Sequence, residues 1–136
     1  MCHMRLSIIP KEQLSTDQLK HIESRRADPK HVNDGAVCQC WDLPWRFYAA
    51  VDADLGNKPI GLLYARDDKN AADPAWWIDS QFRRKEYGYK TVRLFAKRLR
   101  ADGYKGYGNI RIVTFGGKYD EPARKLKECF IKCFEA

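Results

Sequence analysis

The sequence predicts an α/β domain built on a mixed β-sheet whose later strands run parallel. Three observations carry that reading. Short β-prone segments alternate with amphipathic helical patterns in the order strand, helix, loop, hairpin, strand, helix, strand, helix. The hairpin leads into a strand followed by a basic turn and a helix, and a helical crossover of this kind returns the next strand parallel to the last. The chain has 136 residues, enough for one core and too few for two, so a single domain over residues 1–136 is expected.

Each element has a local signature. "MRLSIIP" reads as a first strand ended by Pro10. Ser15 followed by Gln18 is a capping-box pattern, with Leu14 and Leu19 spaced as a hydrophobic staple; it predicts a helix from about Thr16 to Arg26 that stops before Pro29. Residues 28–45 hold two prolines and an Asn-Asp-Gly turn signal and read as irregular. Arg46–Ala53 and Lys58–Arg66 flank "DLGN" as a hairpin. The polar "DDKNAADP" reads as a loop and "AWWIDSQF" as the strand after it, with Trp76 and Trp77 on opposite faces. A helix over about Gly88–Ala101 carries Val92, Phe95, Ala96 and Leu99 on one face and ends at Gly103. "NIRIVTF", residues 109–115, is the next strand. "DEPARKLKECFIKCFEA" closes the chain as a helix, with Pro122 in its first turn and Leu126, Cys129, Phe130, Cys133 and Phe134 as its apolar stripe.

Composition narrows the function classes. With 44% hydrophobic and 32% charged residues the balance is that of a globular chain, not a disordered one. There is no run of 18 apolar residues and no signal-peptide pattern, so no membrane partner and a cytoplasmic location are expected. Five cysteines (Cys2, Cys38, Cys40, Cys129, Cys133) leave one over and show no C-x-x-C spacing, which argues against a disulfide framework or a zinc site; no metal is expected.

The net charge is +7, and all of it sits in one segment: Arg83 to Arg100 holds eight basic residues and a single acid, Glu86. An anionic partner is expected there. Arg93, Lys97 and Arg100 recur at helical spacing and also fit a solvated face. Arg83, Arg84 and Lys85 are different, because they fall where a strand's carboxyl end meets a helix N-terminus. Unpaired first-turn N–H groups and the positive end of the helix dipole converge at that point, making it a candidate pyrophosphate cradle. Gly88 would let the backbone approach a phosphate closely.

The segment "IDSQFRRKEYGYKTVRLFAKRL" resembles the central motif of the GNAT (GCN5-related N-acetyltransferase) superfamily, in which a strand is followed by Arg/Gln-x-x-Gly-x-Gly/Ala and a helix. Arg83 takes the first position and Gly88 the second glycine, while Glu86 replaces the first. The resemblance implies a GNAT-like mixed central β-sheet flanked by helices, lacking the family's last strands, with a second copy as one source of the missing edge. It implies acetyl-CoA as co-substrate, an amine-bearing acceptor, protein or small molecule, and transfer by direct attack. Cofactor binding would fall to Arg83, Arg84, Lys85, Tyr87, Gly88 and Tyr89 at the turn, and to the amides of Ile78 and Ser80 on the strand. Asp79 is the implied base. The family's tyrosine acid matches Lys127 here, so that role passes to Tyr119. Trp41 and Trp45 flank the segment that forms the family's acceptor wall, where Asp34, Asp42 and Asp52 could meet a cationic amine.

Two other readings stand beside it. "FGGKYDEPARKLKECF" is similar to the late segment of RTX toxin-activating lysine acyltransferases, which implies acyl carrier protein as donor, with His31 as the candidate histidine. A nucleic-acid-binding module without catalysis would use the basic residues together with Phe82, Tyr87, Tyr89, Phe95, Tyr104 and Tyr107.

Overall fold

The segment around Phe47 is apolar or aromatic in both phases of its alternation, the pattern of a strand covered on two faces. The computed structural model describes residues 5–28, 37, 40–68, 71–82, 86–108, 110 and 121–136. In it that segment is the second of five strands: β1 (Leu6–Pro10), β2 (Arg46–Asp52), β3 (Lys58–Asp68), β4 (Ala71–Ile78) and β5 (Gly106–Tyr107). They form one sheet in the order β1-β2-β3-β4-β5. The first four are antiparallel to their neighbours, and β5 runs parallel to β4. The mixed sheet with a parallel later strand is therefore present. The predicted strand at 109–115 lies outside the described residues apart from Ile110, and the parallel pairing is made by Gly106 and Tyr107 with Ala71 and Ala72.

Helix α1 (Thr16–Arg26) begins on the predicted capping box: Ser15 Oγ accepts the Gln18 N–H at 3.1 Å, and Gln18 Oε1 accepts the Ser15 N–H at 2.8 Å. Helix α2 (Tyr87–Ala101) ends at Gly103, whose φ of 100° only glycine adopts readily. There the Tyr104 N–H bonds the Leu99 carbonyl and the Gly103 N–H bonds the Arg100 carbonyl, a Schellman motif. Helix α3 (Glu121–Glu135) follows, and no strand comes after it among the described residues.

The helices cover both faces of the sheet. On one, Leu14 and Ile22 of the α1 region pack with Phe47, Ala49, Val51, Leu62, Tyr64 and Trp77. On the other, Val92, Phe95, Ala96 and Leu99 of α2 and Phe130 and Phe134 of α3 pack with Tyr48, Ala50, Leu63 and Ile78. Trp76 and Trp77 take opposite faces as expected, Trp76 lying 5.5 Å from the Phe130 ring.

Two boundaries correct the sequence reading. The stretch 67–74 is mostly strand rather than loop: β3 runs on to Asp68, β4 starts at Ala71, and Asp67 pairs with Ala72. Ladder pairing over the long hairpin outweighs the low strand propensity of its polar residues. At its other end β4 stops at Ile78, four residues before the expected Phe82. The Asp79 carboxylate accepts the Gln81 N–H at 3.1 Å and its carbonyl accepts the Phe82 N–H at 2.8 Å, turning the backbone into the short 3₁₀ segment Ser80–Phe82.

Candidate functional site

The direction in which β4 points its backbone groups defines the site. The Asp79 N–H bonds the Ile60 carbonyl at 2.9 Å, so Asp79 faces β3. Counting back by twos along the antiparallel register, Trp77 and Ala75 also face β3, whereas Ile78, Trp76, Pro74 and Ala72 face β5. Ala72 confirms the phase, because its carbonyl accepts the Gly108 N–H at 2.8 Å. Among the described residues the pairing with β5 stops at Ala72. Pro74, next in that row, has no N–H to extend it. The backbone row Pro74, Trp76, Ile78 therefore faces the β5 side of β4. Trp76 is a member of this row that the sequence reading missed, since strand phase depends on a hydrogen-bond register no local pattern reveals.

Ile60 itself is the extra residue of a β-bulge, because Ala50 pairs with Gly61 and Val51 with Pro59. Its carbonyl anchors the end of β4. The neighbouring Gly61 is obligatory: a Cβ there would lie 2.7 Å from the Trp77 carbonyl oxygen.

Beyond the strand, Arg83, Arg84 and Lys85 lie outside the described residues, as do Tyr119, Asp34 and His31. On either side of residues 83–85, Phe82 and Tyr87 pack edge to face at 5.3 Å, and the Tyr87 hydroxyl donates to Asp52 at 2.9 Å. The buried Asp52 carboxylate, a candidate for meeting an amine, is thus shared between Tyr87 and the Asp54 N–H. Asp42 is exposed, 3.4 Å from Arg26.

Glu86 is the N-cap of α2 and is left-handed, with φ 66° and ψ −7°, and its side chain caps no N–H. This is the position of the resembled motif's first glycine, so the backbone adopts the conformation a glycine would serve while carrying a carboxylate. Gly88 packs against α3: a Cβ on it would meet Leu126 Cδ2 at 3.2 Å, so its missing side chain brings α3 close to α2. Tyr89 is exposed, Ser80 is exposed in the 3₁₀ segment, and the Ile78 side chain is buried in the core.

Asp79 is 1% exposed and accepts both Arg25 Nε and Arg25 Nη2, the latter at 2.9 Å. This bidentate pair ties the C-terminal turn of α1 to the end of β4, and the carboxylate holds the Arg25 guanidinium firmly charged. One turn earlier on α1, His21 hydrogen-bonds the Pro59 carbonyl, and its Nε2 is buried with no partner among the described residues. Burial, then Lys58, lower its pKa below 6.5, so the imidazole is neutral at neutral pH. Nothing in the sequence singled out this histidine.

Among the described residues no group of three His, Cys, Asp or Glu side chains could hold a metal ion, and no helix is long and apolar enough to cross a membrane. Of the six aromatics considered for stacking bases, Phe95 and Tyr104 are buried, Phe82, Tyr87 and Tyr107 are half-buried, and Tyr89 alone is exposed.

The site thus pairs a helix N-terminus whose N-cap side chain makes no cap with a row of backbone groups on the β5 side of β4. The fold as a whole matches GNAT acetyltransferase structures. The glucosamine N-acetyltransferase region of a fungal multi-domain β-N-acetylglucosaminidase superposes with a TM-score of 0.52 over 98% of this chain, at 16% identity; the chain spans 17% of that protein. An aminoglycoside acetyltransferase from an uncultured soil metagenomic sample, solved with sisomicin, superposes with a TM-score of 0.50 over 98% of this chain and 88% of its own, at 12% identity. No family model and no curated protein matches the sequence.

Proposed function

We propose that the protein is an acyl-CoA-dependent N-acyltransferase that moves an acetyl group from acetyl-CoA to an amine. One observation carries the proposal: the N-terminus of α2, with Glu86 left-handed at the motif's glycine position and its side chain capping no N–H, stands beyond the carboxyl end of β4. An N-terminus without a side-chain cap leaves first-turn N–H groups for a pyrophosphate, and Arg83, Arg84 and Lys85 would add charge to it. Bound there, acetyl-CoA supplies the activated acyl group. The N–H of Trp76, on the β5 side of β4, then serves as a donor to its acyl oxygen, with Ile78 beside it in the row, stabilising charge that develops there. Ser80, Tyr87, Gly88 and Tyr89 complete the walls of the turn.

An amine must lose a proton before it attacks. Asp79 can accept one only by releasing Arg25 or the Gln81 N–H, so we assign it the task of fixing the end of β4, with the proton passing to solvent; Tyr119 remains the proposed acid for the leaving thiolate. Both similar structures bear the names of acetyltransferases for amino sugars or aminoglycosides, which supports a small-molecule amine as acceptor.

Calorimetric titration with acetyl-CoA tests this. Saturable binding is expected, lost in Arg84→Glu and tightened in Glu86→Gly. An absence of heat at millimolar acetyl-CoA would overturn the reading. Gly88→Trp is unsuitable as a probe, because it would also push α3 off α2.

A further inference from the structure

The cations of α2 divide by task. Arg98 turns toward the sheet, bonding Asp102 at 3.1 Å and lying over the Tyr48 ring. Arg93, Lys97 and Arg100 are exposed, and none of them meets a carboxylate among the described residues. With Tyr89 they stand at i, i+4, i+8 and i+11, so all four share one helix face and span about 16 Å along its axis. No acid occurs between Tyr87 and Ala101.

Three described carboxylates beside this face have partners of their own, and Glu86 stands beyond its N-terminal end. Glu128 pairs with Arg124, Glu135 accepts the Tyr107 hydroxyl, and Asp102 accepts Tyr48 as well as Arg98. Across the seam, α3 adds positive charge: Lys132 and Arg93 both act on the Cys129 thiol, and the Arg100 guanidinium lies 5.4 Å over the Phe134 ring. Like charges at i, i+4 repel, and an anion along the strip relieves that repulsion.

We infer that the outer face of α2, with Lys132 of α3, is a docking strip for the phosphodiester backbone of single-stranded nucleic acid. A linear row of cations suits a linear row of phosphates, and exposed Tyr89 offers a stacking face at one end. A membrane surface fits less well, because the apolar residues of α2 turn to the core: Val92, Phe95, Ala96 and Leu99 are buried, and Leu94 is half-buried against them. The inference is independent of acyl transfer.

Fluorescence anisotropy of a labelled oligothymidylate of about 20 nucleotides tests it without acetyl-CoA. Binding should weaken with salt at a log–log slope of about −2 to −3, for three or four neutralised phosphates. Arg93→Gln with Lys97→Gln should reduce the slope by roughly 1.4 and weaken binding by about tenfold or more at low salt. Tyr89→Ala should weaken binding without changing the slope, and Lys20→Gln on α1 should change neither. All four positions are exposed, so the variants keep the fold. The inference is overturned by the absence of salt-dependent binding, by an equal loss in Lys20→Gln, or by tighter binding to phosphatidylserine vesicles or polyglutamate than to the oligonucleotide.

Discussion

Glu86 holds its backbone in the left-handed region at φ 66° with no side-chain hydrogen bond to the helix it caps. An L-residue pays roughly 1–2 kcal/mol there, and glycine does not. Glu86→Gly should therefore raise stability by about 1 kcal/mol, read from the urea midpoint, whereas Glu86→Ala should bring no such gain. Asp79 makes the opposite case. Asp79→Asn withdraws the charge from Arg25 in a buried pair and should cost about 3 kcal/mol in chemical denaturation; adding Arg25→Met should recover part of it. Glu86 was legible in the sequence as a departure from a motif. The partner of Asp79 was not, because 54 residues separate it from Arg25 and only the fold brings them together.

The helix ends were the most legible elements. The capping box at Ser15 and the stop at Gly103 use groups within a few residues of each other, so the sequence holds the whole device. The stretch 67–74 was misread for the converse reason: its strand character comes from cross-strand pairs such as Arg66 with Asp73, not from its own residues. Helix α1 also carries a pH response. Burial, reinforced by Lys58 and opposed by Asp79, lowers the His21 pKa, so the folded protein binds that proton less tightly than the unfolded chain. As pH falls below about 6.5 the unfolded state takes up more protons and stability drops, levelling off below the folded-state pKa. Thermal melts from about pH 7.5 to 5 should show this loss, and His21→Gln should flatten that part of the profile.

At the scale of the molecule, one aromatic cluster joins the sheet to both helices on its face. Phe130 contacts Trp76, Phe95, Tyr107 and Phe134 and is fully buried. Phe130→Ala should cost about 3–5 kcal/mol, a large share of a typical domain's stability, and should lower the melting temperature in a single cooperative step rather than freeing α3 alone. The sequence by itself determined the mixed α/β sheet, the order of elements, the apolar faces of the helices and the segregation of charge onto one segment. Each of these is written in local periodicity, capping and composition. Only the tertiary structure decided that Gly88 serves the α2–α3 contact, that Asp79 belongs to Arg25, and that Trp76 and Ile78 face the β5 side of β4. Those facts depend on register and on contacts between residues distant in sequence, and register is fixed by the packing of the whole sheet.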